Sequence, residues 1–176
     1  TTCQGGTAYG IEEYLYQAVL VMPAQCIDWK FQYETCCRNG NITTLNNAAG
    51  MGFYLETTMN NLDYPTNSSP HFNTIPVTQF CVNNQFYFDQ GATDPDNDSI
   101  TYSLINAQDA SGFCPWTPFD LQYNAPYSGV YPISSANGVT MDLLTGVIAF
   151  LPNLLQNGVI AVRCFEYDRI TGLLKT

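Results

Sequence analysis

Hydrophobic and polar residues alternate over short stretches of this chain, with the two-residue period of half-buried β-strands. In residues 29–34, the aromatic Trp29, Phe31 and Tyr33 alternate with polar residues. An apolar stretch that ends at Pro23 precedes this strand. Further strands are predicted over residues 50–58, 85–89, 99–105, 146–150 and 159–168.

Two of these stretches carry more detailed expectations. Met51, Phe53 and Leu55 are in phase on one face of their predicted strand. Residues 142–146 predict a turn that leads into a strand with Ile148 and Phe150 facing inward.

Short strands, frequent Gly and Pro turns and the lack of a helical period predict an all-β fold of β-sandwich type. Pro65, Pro70 and Pro76 lie among Asn and Ser residues and mark the best candidate boundary. We therefore predict two β-sandwich modules, residues 1–67 and 68–176. The first is small for a complete sandwich, so it either shares a sheet with the second or lacks strands. The chain has no Met at its start and stops within a strand-like stretch, which predicts a processed protein or a piece of a longer one.

The composition excludes several classes of protein. Only 11% of the 176 residues are charged, against about 25% on average, so long amphipathic helices are not expected. The formal net charge is −10, and no Lys or Arg lies between Arg38 and Arg163. Nucleic-acid binding requires clustered basic residues and is excluded as a partner class. The chain contains no apolar run of about 20 residues, so no membrane-spanning helix is predicted.

Cysteine usage predicts disulfides and therefore an exported protein. No C-x-x-C pair occurs and His71 is the single histidine, so zinc-finger spacing cannot be built. Adjacent strand residues point to opposite faces, so Cys36 and Cys37 are not expected to bond each other. Because the number of cysteines is odd, one thiol is free or is paired outside the chain. The pairing of the other cysteines remains open. The candidates are Cys3, Cys26, Cys36, Cys37, Cys81, Cys114 and Cys164.

Three carboxylates alternate at the start of a predicted strand: Asp94, Asp96 and Asp98. Ca²⁺ takes six to eight oxygen ligands, so this turn predicts part of a calcium site. The remaining oxygens are expected from Glu166 and Asp168, or from Glu12 and Glu13. The alternative is an Asx turn whose side chains bind their own backbone.

No constellation of catalytic residues is evident, so an enzyme is not predicted. His71 lacks a nucleophile motif around it, and carboxylate pairs drawn from Glu34, Glu56 and Glu166 would arise in any acidic protein.

Aromatic residues in the Pro-rich stretch 113–132 form a candidate sugar-binding platform, since exposed rings stack on sugars. The alternative is a small core beneath a long loop. The residues proposed for the ligand surface are Trp116, Tyr123, Tyr127 and Tyr131.

Two stretches, SSPHFNTIPVTQFCVNNQFYFDQGATDPDNDSITYSL and MDLLTGVIAFLPNLLQNGVIAVRCFEYDRITG, resemble cadherin-like and related Ig-like repeats of bacterial surface proteins. The stretch CIDWKFQYETCCRNGNITTL is similar to a segment of very large exported surface proteins of Bacteroidetes. These include gliding-motility adhesins of the SprB kind, which the type IX system secretes. Together the resemblances cover most of the chain. The chain departs from the cadherin pattern in its many cysteines and its single acidic turn.

The resemblance implies an extracellular structural or adhesive repeat at the cell surface and not an enzyme. Ca²⁺ at Asp94, Asp96 and Asp98 would stiffen such a repeat. Its partners would be neighbouring repeats, other subunits or surface glycans. It also makes Ser99, in Asp98-Ser99-Ile100, a candidate O-glycan acceptor. Two other functions remain open: a filament subunit that packs through strand edges, and a carbohydrate-binding module.

Overall fold

The computed structural model describes residues 14–74 and 79–176. This part of the chain is all-β, as predicted, and contains one 3₁₀ turn at Ala48–Gly50 but no α-helix. Its strands are β1 (Trp29–Thr35), β2 (Phe53–Met59), β3 (His71–Phe72), β4 (Phe86–Phe88), β5 (Ala92–Thr93), β6 (Ser99–Ile105), β7 (Gln108–Ser111), β8 (Thr117–Asp120), β9 (Ser135–Met141), β10 (Ile148–Pro152) and β11 (Ala161–Tyr167).

The strands pair in several small antiparallel sheets. One sheet has three strands in the order β4-β10-β9, and the others are the pairs β1-β2, β6-β11, β3-β5 and β7-β8. The β6-β11 pair runs from Ile105 opposite Ala161 to Ser99 opposite Tyr167. This register fixes which side chains of the two strands lie side by side at the candidate site.

The alternating pattern predicted the inward face of β10 but not that of β2. Ile148 and Phe150 are each 1% exposed, as predicted. In β2, however, Tyr54 is 4% exposed, whereas Phe53 and Leu55 are 38% and 54% exposed. Phe53 and Leu55 therefore share one face of β2, as expected, but that face is the exposed one. Tyr54 occupies the inner face because its hydroxyl donates to Glu56 Oε2 at 2.7 Å and accepts from Gln32 Nε2 at 2.8 Å.

No strand forms over residues 14–28, which include the apolar stretch that ends at Pro23. The stretch is apolar on successive positions, so it lacks the alternation that lets a strand bury one face. Six of its apolar side chains between Tyr14 and Val21 are at least 64% exposed.

Two clusters of buried side chains form the core. The first contains Leu45, Ala48, Ala107 and Leu121, and the second centres on Ile133, Ile148 and Phe150. The first cluster thus draws residues from both sides of the proposed boundary at residue 67.

Hydrogen bonds cross the same boundary. Asn46 N donates to Gln122 O, and Asn124 N donates to Thr44 O, both at 2.9 Å. The division into two modules remains a prediction, and the packing indicates that the two parts stabilise each other. Nowhere in residues 14–74 or 79–176 does the chain form a helix capable of crossing a bilayer.

Candidate functional site

The acidic turn between β5 and β6 is held by its own first aspartate. Asp94 Oδ1 accepts hydrogen bonds from the backbone N–H groups of Asp96 and Asp98, both at 2.9 Å. Asn97 has φ 61°, a left-handed conformation that Asn tolerates better than most residues. The Asx-turn alternative is therefore confirmed for Asp94 Oδ1. Asp94 Oδ2 takes no part in these hydrogen bonds.

Asp94, Asp98 and Glu166 come together beside this turn. Each offers a carboxylate oxygen, and these oxygens lie within 4.8 Å of one another. Glu166 comes from β11, opposite Ile100 of β6. We call these three residues the carboxylate cluster.

Glu166 is fully buried, at 0% exposure. Neither of its carboxylate oxygens has a hydrogen bond of normal geometry among the described residues, and Asp94 Oδ2 is likewise buried without one. Burial of an unpartnered polar group costs free energy, so native proteins rarely tolerate it without a ligand or a water. Three unsatisfied oxygens at one place therefore indicate a position for a cation or a donor.

Burial raises the pKa of Glu166 to about 7, against the opposing effect of the neighbouring Asn67 amide. The charge of Asp94 raises this pKa further, and the charge of Lys175 lowers it. The carboxyl group of Glu166 is therefore poised between its neutral and charged forms near neutral pH.

Lys175 brings a positive charge to the edge of the cluster. Its Nζ forms an ion pair with Asp98 Oδ2, lies 3.8 Å from Asp168 Oδ2 and donates to Asn67 Oδ1 at 2.9 Å. It also lies 5.0 Å from the ring centroid of Tyr64. The Lys175 side chain is 9% exposed and that of Asp98 is 4% exposed, so this ion pair is shielded from solvent.

The contact between Lys175 and Asp98 changes the pKa of both groups. The hydrogen bond from Lys175 lowers the pKa of Asp98. Burial alone would lower the pKa of Lys175, but the hydrogen bond and charge of Asp98 outweigh it, so that pKa is raised. Both groups are therefore charged at neutral pH.

A tight turn after β11 delivers Lys175 to the site. Asp168 Oδ1 accepts from the N–H of Ile170 and of Thr171, and Gly172, with φ 69°, completes the reversal. The following residues pair with β11, since Lys175 N donates to Glu166 O at 2.8 Å. Residues 173–176, which we call the C-terminal segment, thus lie alongside the strand that carries Glu166.

Two of the five residues predicted for the metal site lie outside the carboxylate cluster. Asp96 is exposed, and its Oδ2 accepts from Ser68 N at 2.6 Å. Asp168 serves the turn described above. The alternative ligands Glu12 and Glu13 lie outside the described residues. Sequence reasoning missed Asn67 and Lys175, because no local pattern marks a lone Asn or Lys as a neighbour of a distant acid.

The cysteines differ in part from expectation. Cys36 and Cys37 are bonded to each other, so the prediction that they would not bond is wrong. β1 ends at Thr35, and the opposite-facing rule for strand residues therefore does not apply to them. Cys81 is also disulfide-bonded, and Cys3 lies outside the described residues.

Three cysteines of the described chain are free rather than the one expected: Cys26, Cys114 and Cys164. Burial raises the pKa of the Cys164 thiol to about 11, with further contributions from the charges of Glu166 and Asp94. Cys114, by contrast, is exposed.

The four aromatic residues proposed as a sugar platform are all partly buried. Tyr123 packs against the first core cluster, and its hydroxyl accepts from Ala107 N at 3.0 Å. Tyr127 and Tyr131 stack with centroids 6.1 Å apart. Trp116 N donates to Gln32 Oε1 at 3.2 Å. Sugar binding by these residues remains a prediction.

Ser99 is exposed at the first position of β6. This position leaves its hydroxyl accessible to a glycosyltransferase, but glycosylation itself remains a prediction.

Comparisons of the chain with models of known protein families, with curated proteins and with solved structures found no match.

Proposed function

We propose that this chain is an extracellular structural or adhesive module of a large bacterial surface protein, and that its carboxylate cluster binds Ca²⁺. In this proposal the strands belong to cadherin-like or Ig-like sandwiches, and the partners are neighbouring repeats of the same fibre. The observation that carries the proposal is the buried Glu166, whose carboxylate oxygens lack a hydrogen bond of normal geometry and which lies beside Asp94 and Asp98.

A divalent cation suits the cluster for two physical reasons. It would neutralise carboxylates that otherwise repel each other in a shielded site, where Coulomb interactions are strong. It would also supply a partner for the three oxygens that lack one. Ca²⁺ accepts incomplete protein shells, because backbone carbonyls and water molecules complete its six to eight ligands.

Such a cation would stiffen the module. Glu166 belongs to β11, whereas Asp94 and Asp98 belong to the turn that precedes β6. One ion held by all three would fix the turn to the β6-β11 pair, which is the role expected of a cation in a surface repeat under tension.

The test is thermal unfolding of the oxidised chain in EDTA and in millimolar Ca²⁺, with Mg²⁺ for comparison. At 100 times its dissociation constant, a ligand that binds only the native state adds about 2.7 kcal/mol. For a chain of this size, that raises the melting temperature by about 5–10 °C. Equal melting temperatures in EDTA and in Ca²⁺ would refute cation binding.

Matched variants locate the effect. Glu166→Gln and Asp94→Asn should each abolish most of the Ca²⁺-dependent shift, because each removes a charged ligand. Asp96→Asn lies in the same turn but outside the cluster, and should keep the shift. A shift that survives in Glu166→Gln would place the cation elsewhere.

Self-assembly is a second candidate function, favoured by the exposed apolar residues 14–21. Tyr16 lies 6.1 Å from Tyr33 of β1, so this stretch runs beside a strand whose one partner in the described chain is β2. Open strand edges pair readily between molecules. Sedimentation should then show assembly that grows with concentration and is lost in a Val19→Asp/Val21→Asp double variant. A monomer at all concentrations would exclude it.

A further inference from the structure

Lys175 and Asn67 are 108 positions apart in sequence, yet the Lys175 Nζ atom lies 2.9 Å from Asn67 Oδ1. The amine is shielded from solvent by its burial and by the Tyr64 ring. Carboxyl groups stand on both sides of the pair: Asp98 contacts the amine, and Glu166 faces the amide. A shielded lysine amine against a side-chain carbonyl, flanked by proton acceptors, is an arrangement suited to nucleophilic attack.

We infer that Lys175 and Asn67 form an intramolecular amide cross-link with release of ammonia. The bond that forms joins Lys175 Nζ to Asn67 Cγ, and the bond that breaks joins Asn67 Cγ to Nδ2. The reaction needs no metal and no external oxidant or reductant, although it uses Asp98 and Glu166, two of the three residues of the carboxylate cluster.

The proton balance can be followed atom by atom. The Lys175 ammonium first gives one proton to the carboxylate of Asp98, with which it is in contact. Because the pKa of Lys175 is raised and that of Asp98 is lowered, this transfer is uphill and limits the rate of the reaction. The freed electron pair of Nζ attacks Asn67 Cγ, and the carbonyl π electrons move to Oδ1. A second Nζ proton then reaches Nδ2 through the carboxyl group of Glu166, and ammonia leaves as the carbonyl re-forms. The third proton stays on the new amide.

The surroundings assign different roles to the two flanking acids. Asp98 is the proton acceptor for the amine, and Glu166 is the proton relay between Nζ and the leaving nitrogen. The low exposure of Lys175 and Asp98 increases the electrostatic effect of the flanking groups. Asp98 is also within reach of the amine, and attack there would release water instead of ammonia, so the mass of the product distinguishes the two partners.

The first measurement is the intact mass of the fully reduced, denatured protein after folding. The cross-link predicts a mass about 17 Da below that of the sequence, equal to one ammonia. Chymotryptic peptide mapping should find a branched peptide that joins residue 67 to residue 175. A mass equal to that of the sequence would overturn the inference, as would a loss of about 18 Da mapped to Asp98, which would indicate release of water.

Lys175→Arg is the matched control, because Arg keeps the positive charge but is not a nucleophile at neutral pH. It should show the full sequence mass. Cyclisation of Asn67 onto its own backbone would also release ammonia, but that loss would persist in Lys175→Arg. Its persistence there would overturn the cross-link.

Two further variants separate this inference from the proposed cation site. Glu166→Gln should slow formation of the cross-link at least tenfold in a time course, while circular dichroism confirms a folded chain. Asp94→Asn should remove the Ca²⁺-dependent shift and still show the loss of about 17 Da. An equal rate in Glu166→Gln would contradict the relay role.

Discussion

Asp109 links the two predicted modules, and replacing it tests whether they fold as one unit. Asp109 lies in β7 and is 8% exposed. Its Oδ2 accepts from the buried backbone N–H of Gly52, which precedes β2, and its Oδ1 accepts from Ala110 N, both at 2.7 Å. Gly52 is on one side of the predicted boundary and Asp109 is on the other.

Asp109→Ala should lower the free energy of unfolding by about 2–4 kcal/mol. A buried donor left without its acceptor costs about 1–3 kcal/mol, and the partly buried Ala110 N–H adds a smaller amount. Asp109→Asn keeps one acceptor oxygen and should therefore cost less, about 1–2 kcal/mol. The control Asp63→Ala changes an exposed aspartate and should stay within about 0.5 kcal/mol.

The assay is urea unfolding followed by tryptophan fluorescence. The chain offers a probe on each side of the boundary, Trp29 in β1 and Trp116 just before β8. In the single-tryptophan variants Trp29→Phe and Trp116→Phe, the transitions should coincide, since the first core cluster draws on both parts. Asp109→Ala should shift both transitions together.

Two results would refute this reasoning. Separate transitions for the two probes would show that the parts unfold independently, as isolated modules do. A loss below about 1 kcal/mol in Asp109→Ala would show that the buried hydrogen bonds contribute little to stability.

Two further predictions concern protonation and thiol reactivity. Hydrogen bonds from two side-chain amides lower the pKa of Asp120, so the stability it contributes is present above about pH 4 and is lost as the pH falls through the folded-state value. The cost of Asp120→Asn, at most about 1 kcal/mol at pH 7, should therefore shrink in urea titrations below pH 4, and a cost that grows there would contradict the assignment. In the native state at pH 8, iodoacetamide should label exposed Cys114 at least about tenfold faster than Cys164, whose pKa burial raises to about 11; equal rates by peptide mass spectrometry would show that Cys164 is accessible.

The strands were predictable where one face of the chain meets the core. β10 illustrates this, because Ile148 and Phe150 alternate with less buried neighbours and lie where the pattern placed them. The inward face of β2 was not predictable, since Tyr54 satisfies its hydroxyl through Gln32 and Glu56 inside the fold. A pattern of hydrophobicity cannot register a polar atom that finds its partner only after folding.

The acidic residues of the candidate site were predictable from the sequence, but its lysine, Lys175, was not. Asp94 and Asp98 share a short turn, and Glu166 stands out as an acid within an apolar strand. Lys175 reaches them only because the C-terminal segment turns back along β11. Such a contact depends on register over a sequence separation of 77 positions, which no local motif encodes.

The position of Lys175 against Asn67 also determines how this chain would carry tension. The two residues enclose β3 through β11 in a loop of 108 positions. If they are covalently joined, a pull along the chain passes directly from one residue to the other, and the strands between them bear no load. Roughly 350 Å of extended chain would then stay hidden in a force–extension trace. A surface fibre built from such units would yield at its linkers and at the β1-β2 pair, which lies outside the closed loop.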